Sequence, residues 1–554
     1  MSSKKFNNII WDTTLDPIDY PELIKKKFFS IYLKNRKELV KWTGNLSENF
    51  KTEFEWWIQI PATRDQYRSI LFKCIIVLEV LKDKKIKNKI KYLIVESDNF
   101  RKILILNKIL DLSKTEIKIK KKSILINLCK SIFFNFIVLV SVKLANRNNK
   151  LNSSKEVNFI DTYIDHREMK NDIIYPSLEK ILKGEKFNNF FFVPTFIINK
   201  KLINLMKNIL FSRKRNYIMK ESLISFKDFF LILFKTLFKK NLKSKFPNYN
   251  LIDYSSLINE ELDSKKEFYS EFQSRLNLLF VEKLRSKNIK IKKIIIRFEN
   301  QSVDKAWVIA FRGFFPKTDI IGYQGFMYYP HTSYHSPAYY EEKAKVLPNY
   351  LVVTGKIFKK PRSEFNKNIK ILIGPSLNNQ EILKKKIKRR YDLKFVLALS
   401  GIISLDKKMC EWIFFALSAN KNLSVIIKPH PILPLFNIIK KIPENIKDQI
   451  FISNDKTELL LEKTEILISS GPTSIILESL IYGCKLIYLN LDPNDILIAK
   501  KILKIKKYIN FVSSKQELTN RINYLNKKRF IKKNNNLRNL FFTPLTKQNL
   551  EIFK

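Results

Sequence analysis

The sequence predicts an α/β protein of two lobes, each a parallel sheet flanked by helices, with helical insertions in the first. Three observations predict it. Short apolar runs alternate with helical patterns over most of the chain, as βα units require. The 554 residues are too many for one ordinary compact domain. The apolar pattern is interrupted between Pro348 and Lys370 by Gly355, Pro361, Arg362 and several Lys, which marks a linker. The expected division is a Rossmann-like first lobe over 1–347, a linker over 348–368, a second lobe over 369–530 and a basic tail over 531–554.

In the first lobe the expected strands are Lys91–Val95, Lys102–Leu106, Val157–Thr162, Phe190–Phe196 and Lys293–Phe298, followed by Ile320–Tyr323 and Tyr350–Val353. Helical periodicity falls at Tyr67–Leu81, Ser123–Leu144 and Lys266–Ser286. In Ser222–Lys245, Phe and Leu cluster on one face while Lys accumulates toward the end. Such a segment suits an anionic membrane interface or a buried insertion helix. In the second lobe the strands are Ile369–Ile373, Phe395–Leu399, Ser424–Ile427, Ile450–Ser453, Glu465–Ser469 and Lys485–Asn490. Helices near Lys407–Asn420, Thr457–Glu462 and Thr473–Tyr482 separate them, giving a doubly wound unit. The tail crosses back to the first lobe or stays loose.

Composition narrows the class. A hydrophobic fraction of 45% with 28% charged residues belongs to a folded chain rather than a disordered or polytopic one. Lys and Arg number 103 against 52 Asp and Glu, a net charge of +51 that draws the chain to anionic surfaces or phosphorylated substrates. The basic residues are spread along the chain without zinc-finger spacing or an RNP-like strand, which weighs against nucleic acid. Cys74, Cys129, Cys410 and Cys484 lie far apart, so neither a disulfide framework nor a CxxC site is expected. The first residues lack the apolar core of an export signal, and no run reaches the ~20 apolar residues of a spanning helix; Ser131–Val142 is about half that. The expected location is cytoplasmic, either free or peripheral at the inner face of the cytoplasmic membrane.

The most informative segment is Glu465–Asn490. An apolar strand ends in Ser469, Ser470, Gly471, Pro472, Thr473 and Ser474, and a helix follows that Gly483 closes. Hydroxyls and backbone N–H groups at such a helix start suit a phosphate. Glu478, one turn after Ser474, can accept hydrogen bonds from ribose hydroxyls. The plainer alternative is an N-cap at Thr473 or Ser474 and a solvated Glu478. Leu423–Pro431 delivers Lys428 and His430 between two prolines at the end of another apolar strand, aimed where a diphosphate would sit, unless this is an ordinary strand exit.

At these residues the chain resembles the carboxy-terminal lobe of GT-B glycosyltransferases, especially bacterial capsule and lipopolysaccharide enzymes with CMP- or CDP-activated donors. In those a His-Pro motif and a Ser/Thr-rich turn with a downstream Glu hold the nucleotide. The matching positions are His430-Pro431, then Ser469, Ser470 and Thr473, then Glu478. The first lobe resembles surface carbohydrate biosynthesis proteins of O-antigen clusters through Trp56-Trp57, Pro61, Arg64, Tyr67, Ser69 and Leu71-Phe72, then Phe298-Glu299-Asn300-Gln301 and Ile321-Gly322-Tyr323-Gln324.

The resemblance implies a GT-B glycosyltransferase that moves a sugar from a CMP- or CDP-linked donor to a surface polysaccharide or lipid-linked acceptor. The nucleotide sugar is its substrate, and no cofactor is called for. The donor site would comprise Lys428, His430, Ser469, Ser470, Gly471, Thr473, Ser474 and Glu478. Glu299, at a strand end, is the candidate general base, or else a structural partner of Arg297 or a Lys. Arg64, Gln324, His331 and His335 are the acceptor-side candidates, unless Arg64 caps a loop and the two histidines are ordinary exposed ones of a charge-free loop. No DxD follows an apolar strand in the manner of a metal site, since Pro interrupts Asp492-Pro493-Asn494-Asp495, so no metal is expected. The first lobe has no Gly-rich phosphate loop, which leaves the nucleotide to the second. The alternatives are a sugar-nucleotide epimerase, a polyol-phosphate transferase, or a non-catalytic polysaccharide-cluster protein.

Overall fold

The structure, a computed structural model, describes residues 9–110, 113–121, 123–145, 155–164, 189–197, 215–326, 332–384, 392–430, 442–471, 473–491, 509–527 and 537–553, with isolated positions between 151 and 210. Three sheets, all parallel, organise it. A small one holds β1 (Ile9–Asp12), β2 (Ile90–Val95) and β3 (Glu116–Ile119) in that order. The middle sheet comprises β4 (Glu156–Ile164), β5 (Phe190–Phe196), β6 (Lys290–Arg297), β7 (Asp319–Gln324), β8 (Tyr350–Val353) and β9 (Ile371–Ile373), ordered β5-β4-β6-β7-β8-β9. The third comprises β10 (Leu393–Ala398), β11 (Val425–Lys428), β12 (Ile450–Ile452), β13 (Thr464–Ser469), β14 (Lys485–Leu489) and β15 (Ile509–Val512), ordered β12-β11-β10-β13-β14-β15. Helices cover both faces of the large sheets, so their strands are apolar almost throughout. Every residue of the central strand β13 is buried, and so is every residue of the edge strand β5.

The α/β class and the two large parallel sheets agree with the sequence, and four expectations are corrected. Lys102–Leu106 is not a strand: it ends the helix Asp98–Leu106, which Ser97 caps by accepting from Phe100 N and which buries Phe100, Ile103 and Leu104 at helical spacing. Residues 348–368 are not a linker, because they hold β8 and the helix Lys356–Arg362. Ile371–Ile373 pairs with β8 in the middle sheet and does not open the third. Lys91–Val95 belongs to the small sheet, whose core is separate. The helix Leu125–Leu144, with a mean hydropathy of 2.0 over an 18-residue window, is long and apolar enough by length and composition to cross a membrane, although Phe134, Val138 and Val142 pack into the protein.

The end of the chain returns to the middle sheet. A Cβ on Gly355 would lie 2.2 Å from the carbonyl oxygen of Phe541, so only glycine admits the returning backbone there. Thr543 N donates to Thr354 O at 2.8 Å, Ser376 N donates to Thr543 O at 3.0 Å, and Phe553 joins the apolar cluster around Tyr323.

Strand order fixes where ligands can enter. Counted along the chain, the third sheet runs 3-2-1-4-5-6 and the middle sheet 2-1-3-4-5-6. In each, consecutive connections part to opposite sides at one point, between β10 and β13 and between β4 and β6, and leave a crevice beyond the carboxyl ends of those strands.

The helix Glu22–Ser47 touches loops at the carboxyl ends of both large sheets. Lys25 Nζ donates to Leu491 O, just beyond β14, at 3.4 Å, and Lys408 lies 3.9 Å from Glu22. Two turns on, about 10 Å along the axis, the Tyr32 hydroxyl bonds that of Ser333 in the β7–β8 connection, and Arg36 pairs with Glu364 at 2.5 Å. The two carboxyl edges therefore converge on one helix.

Candidate functional site

Three strand-end turns meet at the crevice of the third sheet. Ser400-Gly401 follows β10, His430 follows β11, and Ser470-Gly471 follows β13. Gly401, with φ +87°, carries the imidazole of His430 directly over its Cα: a Cβ there would lie 2.6 Å from Nδ1. Gly471, with φ +82°, faces the same turn from the other side, its missing Cβ 3.0 Å from Ser400 Cβ and 2.5 Å from Leu405 Cδ2. Both positions need glycine twice over, for the left-handed backbone and for the space.

Asp406 holds this arrangement from the first turn and a half of the helix Ile403–Ser418. Its carboxylate accepts from Ser400 N at 2.7 Å, from Ser400 Oγ at 2.7 Å and from Gly401 N at 3.1 Å. Burial raises its pKa, and these bonds together with the nearby His430 oppose the rise. Ser400, Gly401 and Asp406 escaped the sequence reading. The signal was there: among only 10 glycines, one directly follows an apolar strand and a Ser.

The predicted donor residues divide. His430 and Gly471 stand on either side of the Ser400-Gly401 turn. Ser469 and Ser470 are fully buried, and their hydroxyls donate to Ala398 O at 2.9 Å and Leu489 O at 2.7 Å, tying β13 to its neighbours. Lys428 turns toward β12, where its ammonium donates to Asp455 O at 2.6 Å, and burial lowers its pKa. Thr473 is buried and its N–H bonds Gly471 O, while Ser474 stands before a helix of seven residues, Ile475–Ile481, without a side-chain cap bond, and that helix is too short to carry much of a dipole. Glu478 is not solvated. Burial, with Glu458 adding to it and Ser474 opposing, pushes its pKa up to about 7. Pro431, His331 and Asp492–Asp495 lie outside the described residues.

At the carboxyl edge of the middle sheet, Glu299 stands beyond β6 at the β4/β6 crevice, one-third exposed and paired with Arg297 at 2.6 Å. Arg297 in turn lies over the Tyr163 ring. Arg64 and Gln324 are buried among protein groups. Glu341 receives Arg64 Nη2 at 3.1 Å, Lys305 Nζ at 2.9 Å and Asn300 Nδ2 at 3.0 Å. Burial opposes its ionisation, yet the two cations keep its carboxyl below the usual range. Arg64 also donates to Ser336 O at 3.0 Å, and Gln324 Nε2 donates to Phe298 O and His335 O. The His335 ring packs between Phe326 and Tyr334. Sequence motifs more than 200 residues apart are thus joined in one buried polar knot that shapes the edge of the crevice, where the sequence suggested acceptor ligands.

No family model matches the chain, and no curated protein matches it. Solved structures similar in outline include a UDP-GlcNAc 2-epimerase from Neisseria meningitidis bound to UDP-GlcNAc, at TM-score 0.39 and 12% identity over 67% of this chain and 92% of that one. MurG from Acinetobacter baumannii follows at 0.37 and 10%, over 67% and 91%. A glycosyltransferase from Rickettsia africae stands at 0.36 and 13%, over 67% and 88%.

Proposed function

We propose that the chain is a glycosyltransferase. It binds a nucleotide sugar, of the cytidine class by the sequence resemblance, in the β10/β13 crevice and passes the sugar to a surface polysaccharide or lipid-linked acceptor in the cleft. The observation that carries this reading is the meeting of the Ser400-Gly401 and Ser470-Gly471 turns at that crevice, with the imidazole of His430 laid over Gly401. A phosphate group beside that imidazole gains a donor and, when the ring is protonated, a positive charge.

In the transfer, an acceptor oxygen attacks the anomeric carbon while the bond from that carbon to the donor phosphate breaks. The leaving nucleotide keeps the bonding electrons, and His430 stabilises the charge that grows on it. Glu299 takes the proton of the acceptor hydroxyl, and Arg297, paired with it at 2.6 Å, fixes where its carboxylate stands. The test is incubation with CMP-, CDP- and UDP-linked sugars, with and without a crude glycan acceptor, while released nucleotide is measured. Acceptor-dependent release supports the transferase, acceptor-independent isomerisation of the sugar replaces it with an epimerase, and no turnover of any donor removes the reading.

A further inference from the structure

Two helices beside the middle sheet leave one broad apolar face without a partner among the described residues. Leu125–Leu144 and Phe226–Leu237 both pack on the helix Phe268–Ser286, through Leu139, Phe229, Ile232, Phe272 and Leu276, and they meet each other where Phe136 contacts Phe229 edge-on at 5.9 Å. Their inner faces are ordinary core. The outer faces are not: Phe226, Phe230, Phe234 and Phe238, spaced one turn apart, are 46%, 54%, 59% and 66% exposed, and Phe133 across the pair is 66% exposed. Single exposed apolar residues need no explanation, but a stripe of phenylalanines continued on a neighbouring helix does.

Charge selects the occupant. The outward positions between these rings are Lys227, Lys235 and Lys130, all exposed. Neither helix offers a carboxylate outward. Leu125–Leu144 contains no Asp or Glu, and the one acid of Phe226–Leu237, Asp228, is used at its own N-terminus, accepting from Ser225 N at 2.8 Å and pairing with Lys283 at 3.2 Å. Aromatic rings flanked by ammonium groups, without any negative charge, match an interface that is apolar a few ångströms below a layer of phosphates.

We propose that this two-helix face docks on an anionic lipid bilayer, its phenylalanines in the acyl boundary and Lys130, Lys227 and Lys235 among the headgroups. The surface shares no residue with the β10/β13 crevice, so its test is independent of catalysis. The experiment is sedimentation of the full chain with vesicles of phosphatidylcholine alone or mixed with phosphatidylglycerol.

Wild type is expected to sediment with the anionic vesicles. The pair Phe230→Ser and Phe234→Ser should weaken that binding about tenfold or more, and Lys227→Glu with Lys235→Glu should remove its salt-sensitive part. Melting should not change, since all four side chains point outward. Wild type that ignores both kinds of vesicle, or a Phe pair that binds like wild type, overturns the proposal. So does wild type that ignores vesicles while forming a dimer in light scattering that the Phe pair abolishes, because the occupant is then a second copy of the chain.

Discussion

The imidazole of His430 fills the space where Gly401 would otherwise carry a side chain, with Nδ1 2.6 Å from the Cβ position. This contact links the ends of β10 and β11 beside the β10/β13 crevice, and it explains why so glycine-poor a sequence keeps a glycine at 401.

Gly401→Ala should therefore act locally. The left-handed backbone alone costs a Cβ about 1 kcal/mol, and the ring must also move. Nucleotide binding should fall further than stability does, by calorimetry beside a melting curve. Gly313→Ala, in the helix Ser302–Phe314 with nothing within 4 Å of its Cβ, is the control, expected to stabilise by up to about 1 kcal/mol.

Asp406→Ala removes the acceptor of three hydrogen bonds, from Ser400 N, Ser400 Oγ and Gly401 N. Buried donors left without an acceptor cost about 1–3 kcal/mol each at most, and relaxation recovers some of it. Urea denaturation should show a loss of about 3 kcal/mol. Asp406→Asn, which keeps one acceptor oxygen, should fall between the two.

Glu478 gives a pH signature. Its pKa in the fold, about 7, lies above its ordinary 4.5, so the folded chain holds a proton that the unfolded chain has released. Its contribution to stability is complete below about pH 4.5 and is lost as pH rises through about 7, by at most about 3 kcal/mol. Glu478→Gln should melt close to wild type in the acidic part of that window and above it at pH 8. Equal melting temperatures at both ends would refute the buried carboxyl.

Arg64→Met tests whether Arg64 is an anchor or a ligand residue. It leaves Glu341, fully buried, with Lys305 as its one remaining cation, and breaking a buried pair costs about 3–5 kcal/mol. The expected result is a large fall in melting temperature with unchanged nucleotide affinity in the protein that remains folded.

The strands of the large sheets were legible because their burial on both faces leaves almost unbroken apolar runs, as at Phe190–Phe196. Sheet membership was not, since it is a long-range property: nothing local in Ile371–Ile373 says that it pairs with β8 rather than β10. Lys102–Leu106 misled as an apolar run, although Ser97 and Asp98 before it already spell a helix start. At the site, His430 and Gly471 were readable from their strand ends. The inward turn of the Ser469 and Ser470 hydroxyls was not, because it depends on the carbonyls of Ala398 and Leu489, contributed by other strands. Glu478 reads as a surface residue until the Thr457–Lys463 helix is placed against it.

The most direct measurement is calorimetric titration of the wild-type chain and of His430→Ala with CMP, CDP and UDP. The expected result is saturable one-to-one binding of a pyrimidine nucleotide that His430→Ala weakens about tenfold or more while the melting temperature holds. Wild type that binds none of the three, or a His430→Ala variant that binds as tightly as wild type, would contradict a nucleotide site between β10 and β13.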